Sequence, residues 1–166
     1  MLQFENFLTE KKENITAKKG TGNAGAILHE LLIGYYVRGG TGDPRNPRNK
    51  KFHMIKHPDS DNLSPYEAFS MKAALFEDAQ FDAIAKRAKT TADTLVKKFE
   101  DMGISVKDVH WTSKAGDTER TTGIKASQKE DDSDVCFTLR RKGEKVDTYA
   151  GVSLKAYEEN KKEKAK

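Results

Sequence analysis

The chain has 166 residues, 34% of them charged and 36% apolar, with a net charge of +4 and a pI near 9.0. That length fits one domain with a modest core and a large solvated surface. The lone Cys136 excludes an internal disulfide framework and a cysteine-rich zinc site, and no apolar run approaches the roughly 20 residues needed to cross a bilayer.

The mild basic excess permits a polyanionic partner without requiring one. The first residues, MLQFENFLTEKKENIT, lack the basic-then-apolar order of a signal peptide, so a soluble cytoplasmic protein is expected. Residues 1–19 read as a short amphipathic piece with Leu2, Phe4, Phe7 and Leu8 as its apolar part, and Gly20 to Asn23 as a turn. From Ala24 to Val37 the sequence AGAILHELLIGYYV is apolar on nearly every side, which predicts a buried helix ended by Arg38-Gly39-Gly40. Residues 38–53 then form a loop with two prolines, in which Arg45, Arg48, Lys50 and Lys51 stand against Asp43.

Ser64-Pro65-Tyr66-Glu67 is a helix start. Ser caps, Pro suits the first turn, and Glu67 completes a capping box. Helical pattern continues to about Met102, with a break near Asp78 and a stop at Gly103. Ile104 to Trp111 reads as a first strand. A polar stretch of 112–132 leads to a second strand from Ser133, a hairpin turn over 140–145, and a third strand to about Lys155. Residues 156–166 are a charged, helix-compatible tail. Helices followed by an antiparallel three-strand meander predict an α+β fold. The expected parts are an N-terminal segment (1–23), a helical part (24–102), a β-meander (103–155) and the tail.

Chemistry concentrates near the second and third strands. Asp134 stands at the mouth of one, and the other reads Gly151-Val152-Ser153-Leu154-Lys155. A carboxylate and an ammonium on adjacent strands suit a divalent cation and the charge that grows when a phosphodiester breaks. The plainer alternative is turn chemistry at Asp134 and a solvated Lys155. Glu30 lies inside the most apolar helix, where an unpaired carboxylate is costly. Alternatively it emerges on a narrow polar strip beside His29. The 38–51 loop is the candidate contact for nucleic-acid phosphates. Arg120 either reaches a phosphate or pairs with Asp117 or Glu119. Glu130, Asp131 and Asp132 form an acidic run that adds metal ligands or a solvated turn. Cys136, in an apolar strand, reads as a buried inert thiol.

A helix-borne Glu, a strand-borne Asp and a strand ending in x-x-Lys together resemble the PD-(D/E)xK (restriction-endonuclease-like) nuclease superfamily, over residues 24–37 and 104–155. The stretch DVHWTSKAGDTERTTGIKASQKEDDSDV with GVSLK also resembles tailed-phage proteins of nuclease type. The resemblance implies a Mg²⁺- or Mn²⁺-dependent DNA endonuclease. Asp134 would bind the metal, with Glu30 as a further ligand or a water-orienting base; Lys155 would position the attacking water or stabilise the charge on phosphorus, and Ser153 would contact a metal-bound water. Arg45, Arg48, Lys50, Lys51 and Arg120 would hold the nucleic acid. It also implies a host-cytoplasmic or virion-associated location and leaves open self-association or association with other phage proteins. The chain departs from the pattern in two ways. Ser153 stands where the family has an acid, and eleven residues follow Lys155 where the family core continues with a helix and a strand. The second departure implies a minimal fold or a fragment. The alternative function is a catalytically degenerate nucleic-acid-binding or virion-associated protein; a third is an interaction module whose charges are only solubilising.

Overall fold

A computed structural model of the chain describes residues 3–10, 23–58, 63–112, 116–124 and 134–154, with the backbone alone for 3–10, 153 and 154. In chain order the elements are β1 (Gln3–Glu10), α1 (Ala24–Val37), a 3₁₀ turn (Lys51–Met54), β2 (Ile55–Lys56), α2 (Pro65–Ala73), α3 (Asp78–Asp101), β3 (Ile104–Trp111), α4 (Asp117–Thr122), β4 (Val135–Arg141) and β5 (Asp147–Leu154). The fold is α+β, as the sequence predicts.

The sheet has five strands rather than three, in the order β1-β5-β4-β3-β2. The expected meander of β3, β4 and β5 is its antiparallel centre. At the two edges, β1 joins β5 and β2 joins β3, both in parallel. The stretch 3–10, read as an amphipathic piece, is therefore an edge strand. Its apolar residues at Phe4, Phe7 and Leu8 fit helical spacing as well as a strand, and its partner lies more than a hundred residues away.

Helices α1 and α3 pack against each other and on one face of the sheet. In α1, Leu28, Leu31, Leu32, Ile33 and Tyr35 are all buried, which explains its apolar circumference. It approaches the sheet most closely at Gly34, where an added Cβ would sit 3.1 Å from Ile55 and 3.2 Å from Val109. Helix α3 is amphipathic and turns Phe81, Ile84, Ala88, Ala92, Leu95 and Phe99 inward at helical spacing. Phe99 meets Phe137 of β4 edge to face, with ring centroids 5.8 Å apart. In β4, Val135, Phe137 and Leu139 belong to this core, while Cys136 and Thr138 on the opposite side are buried too. Strand β4 is therefore covered on both faces, as its run of apolar and β-branched residues requires.

Helix α2 starts where predicted: the Ser64 side chain accepts a hydrogen bond from the Glu67 backbone N–H. The Ser64 hydroxyl also donates to the Glu67 carboxylate at 2.9 Å. The reciprocal capping box lies instead at α3, between Glu77 and Gln80. Gly103, at φ +70°, ends the α3 segment. The 38–53 stretch carries more structure than its composition suggests. Phe52 is fully buried, stacked on Tyr35 at 4.7 Å and on Phe69 at 4.0 Å. Within the polar 112–132 stretch, the described residues include the short helix α4.

Candidate metal and nucleic-acid site

Glu30 does not emerge on a polar strip. It is 7% exposed and His29 1% exposed, both inside the packed part of α1. The indole Nε1–H of Trp111, the last residue of β3, donates to Glu30 Oε2 at 3.1 Å. Burial first, then the nearby negative charge of Asp134, push the Glu30 carboxyl up to about 8, against the opposing pull of the Trp111 hydrogen bond. Without a cation, Glu30 is therefore mostly protonated at neutral pH.

Asp134 is fixed through its backbone. Its N–H donates to the Val152 carbonyl at 2.9 Å, and its own carbonyl accepts from the Thr112 N–H at 3.0 Å. The main chain at Asp134 thus bridges the ends of β3 and β5. Val135 is the register partner of Val152, so Asp134 and Val135 both face Val152 at this end of the ladder. Of the residues implied by the family resemblance, Glu30 lies within reach of the Asp134 charge, and Ser153 lies one residue beyond Val152, to which the Asp134 N–H bonds. Lys155 lies outside the described residues, as do Glu130, Asp131 and Asp132.

Trp111 is the site residue that sequence reasoning passed over, having taken it only as a strand residue. The available signal was weak: it is the sole tryptophan, and a buried indole N–H usually finds an acceptor.

A buried carboxyl that keeps its proton near another carboxylate would ionise more readily if a divalent cation bound beside it. Mg²⁺ is commonly held by one or two carboxylates, with waters and substrate phosphates completing the shell. In that sense the donors fit. Among the described residues no group of three metal-ligating side chains occurs.

The predicted phosphate contacts divide into two sets. Arg45 is occupied: it pairs with Asp43 at 3.3 Å, Asp78 at 2.9 Å and Asp82 at 3.8 Å, and its guanidinium lies 4.3 Å above the Phe81 ring. It ties the loop to α3. Arg120 pairs with Asp117 at 2.6 Å, and that carboxylate is almost completely buried. Arg48 and Lys50 are exposed and Lys51 is half-buried. The loop that carries them starts at the end of α1, and that helix end lies roughly 10 Å along the axis from Glu30 at 1.5 Å per residue. Cys136 is buried, and desolvation pushes its thiol up to about 12, which makes it a poor nucleophile.

No family model, curated protein or solved structure matches this chain. Among the described residues, no helix is long and apolar enough to cross a membrane.

Proposed function

We propose that this protein is a metal-dependent deoxyribonuclease with a PD-(D/E)xK-like site. The observation that carries the reading is the buried Glu30 carboxyl, held by the indole of Trp111, whose neighbour Thr112 bonds to the Asp134 backbone. Two carboxylates far apart in sequence lie close enough, at the end of β4 and inside α1, for one charge to act on the other. A buried acid of this kind is costly to the fold and is a recurrent mark of functional sites.

In this reading Asp134 and Glu30 hold Mg²⁺ or Mn²⁺. Such an ion, when bound, lowers the pKa of water and polarises a phosphoryl oxygen. Trp111 occupies one Glu30 oxygen and leaves the other for ligation. Lys155, two positions after Ser153, stabilises the negative charge that grows on the phosphoryl group. Ser153 stands where the PD-(D/E)xK pattern has an acid, and its hydroxyl would bind water at the site. Arg48, Lys50 and Lys51 contact backbone phosphates; Arg45 contributes by holding their loop in place.

The test is plasmid nicking with Mg²⁺ or Mn²⁺. Asp134→Asn is expected to abolish cleavage while leaving the thermal midpoint and DNA affinity largely intact, because Asn keeps the shape but not the charge. Lys155→Ala is expected to slow cleavage and spare metal binding. If wild type cuts no duplex, branched or single-stranded DNA with either metal, the enzyme reading fails. A variant Asp134→Asn that cuts as well as wild type would mean that the site lies elsewhere.

A second reading rests on Ser153. With no acid there, and two converging carboxylates among the described residues, the site would be degenerate and the protein would only bind nucleic acid. Salt-dependent DNA binding without nicking is its signature.

A further inference from the structure

Residues 44–58, PRNPRNKKFHMIKHP, contain five lysines and arginines, two histidines and no acidic residue. The segment ends in β2, the edge strand beside β3. Ile55 pairs with Val109 and Lys56 with His110, so the next register position sets His57 beside Trp111. Adjacent strands lie about 4.8 Å apart. The basic segment therefore ends on the strand beside the one that carries Trp111.

A small cleft of about 120 Å³ opens along this path, between the 3₁₀ turn and the start of α2. Phe52 and Ile55 supply its apolar lining, and His53, His57, Ser64 and Tyr66 bring polar or aromatic groups to it. The His53 and Tyr66 rings are stacked, with centroids 4.7 Å apart and planes 23° from parallel. His53 is exposed and Tyr66 half-buried, so the stack has a fixed base and an open end. Behind it, Phe52 is clamped between Tyr35 and Phe69, which makes the platform rigid. Met54 and Leu63, neighbours in sequence of lining residues, expose 41% and 42% of their surface.

Arg45 and Lys56 of this segment are paired with carboxylates, but the exposed His53 ring on half-buried Tyr66, the apolar surface and the cations Arg48, Lys50 and Lys51 form one strip that suits a chain with phosphates on one side and unpaired bases on the other. A duplex offers the phosphates but keeps its base faces stacked and out of reach. We propose that this cleft is a subsite for an unpaired base, so that the preferred partner is single-stranded nucleic acid or a duplex with a single-stranded arm. The base extends the His53–Tyr66 stack, and Arg48, Lys50 and Lys51 hold the adjoining phosphates. The inference rests on the nucleic-acid part of the proposed function and names its substrate class.

The experiment is fluorescence anisotropy with a labelled single-stranded oligonucleotide and the matching duplex, in EDTA so that nothing is cut. Full-length wild type is compared with His53→Ala, Tyr66→Leu and Tyr66→Phe, each checked by thermal melt. Loss of one stacked base is expected to weaken single-strand binding between about five- and a hundred-fold in His53→Ala and Tyr66→Leu. Duplex binding should stay within about two-fold, and Tyr66→Phe, which keeps the ring, should bind like wild type. His53 is exposed, so its variant remains informative if a change at half-buried Tyr66 destabilises the fold. Photo-crosslinking of an iodouracil-substituted strand should also label the peptide spanning 48–66.

Equal single-strand affinity in wild type and His53→Ala, or crosslinks confined to other segments, overturns the proposal. So does a loss shared equally by duplex, which would mark the segment as a plain phosphate contact. If wild type nicks DNA while His53→Ala binds single strands normally, the subsite is wrong and the nuclease reading stands. If single-strand binding depends on the two rings and neither metal supports cutting, the subsite stands and the nuclease reading fails.

Discussion

Glu30 shows how a single buried carboxyl links stability to pH. In the unfolded chain its carboxyl titrates near the ordinary 4.5; in the metal-free fold it holds its proton to about 8. Between those values the folded state binds more protons than the unfolded state, so stability falls as pH rises through that window. The slope for one proton is at most about 1.4 kcal/mol per pH unit. Glu30→Gln removes it. In EDTA, the variant's melting temperature relative to wild type should climb from pH 5 to pH 8; a constant difference would mean that Glu30 is not held protonated. His110 has the opposite sign. Burial chiefly lowers it to about 4, with Lys56 adding to the effect and Asp108 opposing it, and it lies 2.8 Å from the Thr138 hydroxyl. Its contribution is present above about 6.5 and is lost as pH falls toward 4, so it leaves the alkaline half of the Glu30 window untouched. Trp111 offers a direct readout of the pair. As the only tryptophan, it would report a metal bound beside Glu30 without interference from another indole. Mn²⁺ should quench its emission in wild type and much less in Asp134→Asn; equal quenching in both would place the ion elsewhere.

At the scale of elements, the 38–54 stretch separates into an anchor and a contact. Composition alone reads it as a polar loop, because one aromatic among many polar residues gives no periodic signal. Its fixed points are Phe52, sandwiched between two rings, and Arg45, held by three carboxylates. Phe52→Ala should cost about 3–5 kcal/mol, as for other buried aromatics, and should loosen the base cleft that shares this residue. Denaturant unfolding measures the first effect; a cost below about 1 kcal/mol would show that the stack does not hold the loop. The exposed cations behave differently. Arg48, Lys50 and Lys51 together changed to Ala should leave stability near wild type. The log–log salt slope of binding should fall by roughly 0.9 per lost phosphate contact on duplex DNA, or about 0.7 on a single strand. Including Arg45 in that set would mix loss of contact with loss of the loop. Helix α2 gives a local control: Ser64→Ala removes a cap and should cost about 1 kcal/mol.

At the scale of the whole molecule, the sheet joins distant parts of the chain. Strand β1 pairs with β5, the strand that leads into Ser153 and Lys155, across nearly the full length of the sequence. Deleting residues 1–10 would leave β5 as an open edge next to the site, with unpaired backbone groups and a tendency to associate. The truncated chain should melt at lower temperature and show concentration-dependent light scattering, and its nicking rate should fall with the order of β5. Unchanged activity and melting in the truncated chain would show that β1 is dispensable to the site.

The sequence alone determined the elements whose signals are local. The all-apolar run of α1, the Ser-Pro start of α2, the glycine stop after α3 and the β-branched runs of β3, β4 and β5 each carry their periodicity or punctuation within a few residues. The choice of Glu30 and Asp134 as candidates was also legible, since a carboxylate in an apolar helix and another at a strand mouth stand out from their neighbours. That the Asp134 charge reaches Glu30 was not. It depends on how α1 lies across the sheet, and no spacing between positions 30 and 134 encodes that. The same holds for the edge strands β1 and β2, which exist because β5 and β3 offer backbone partners. It holds for the Trp111–Glu30 hydrogen bond and for the fate of the arginines. A guanidinium looks the same in sequence whether it faces solvent or is tied to carboxylates, and only tertiary packing decides which charges remain available to a ligand.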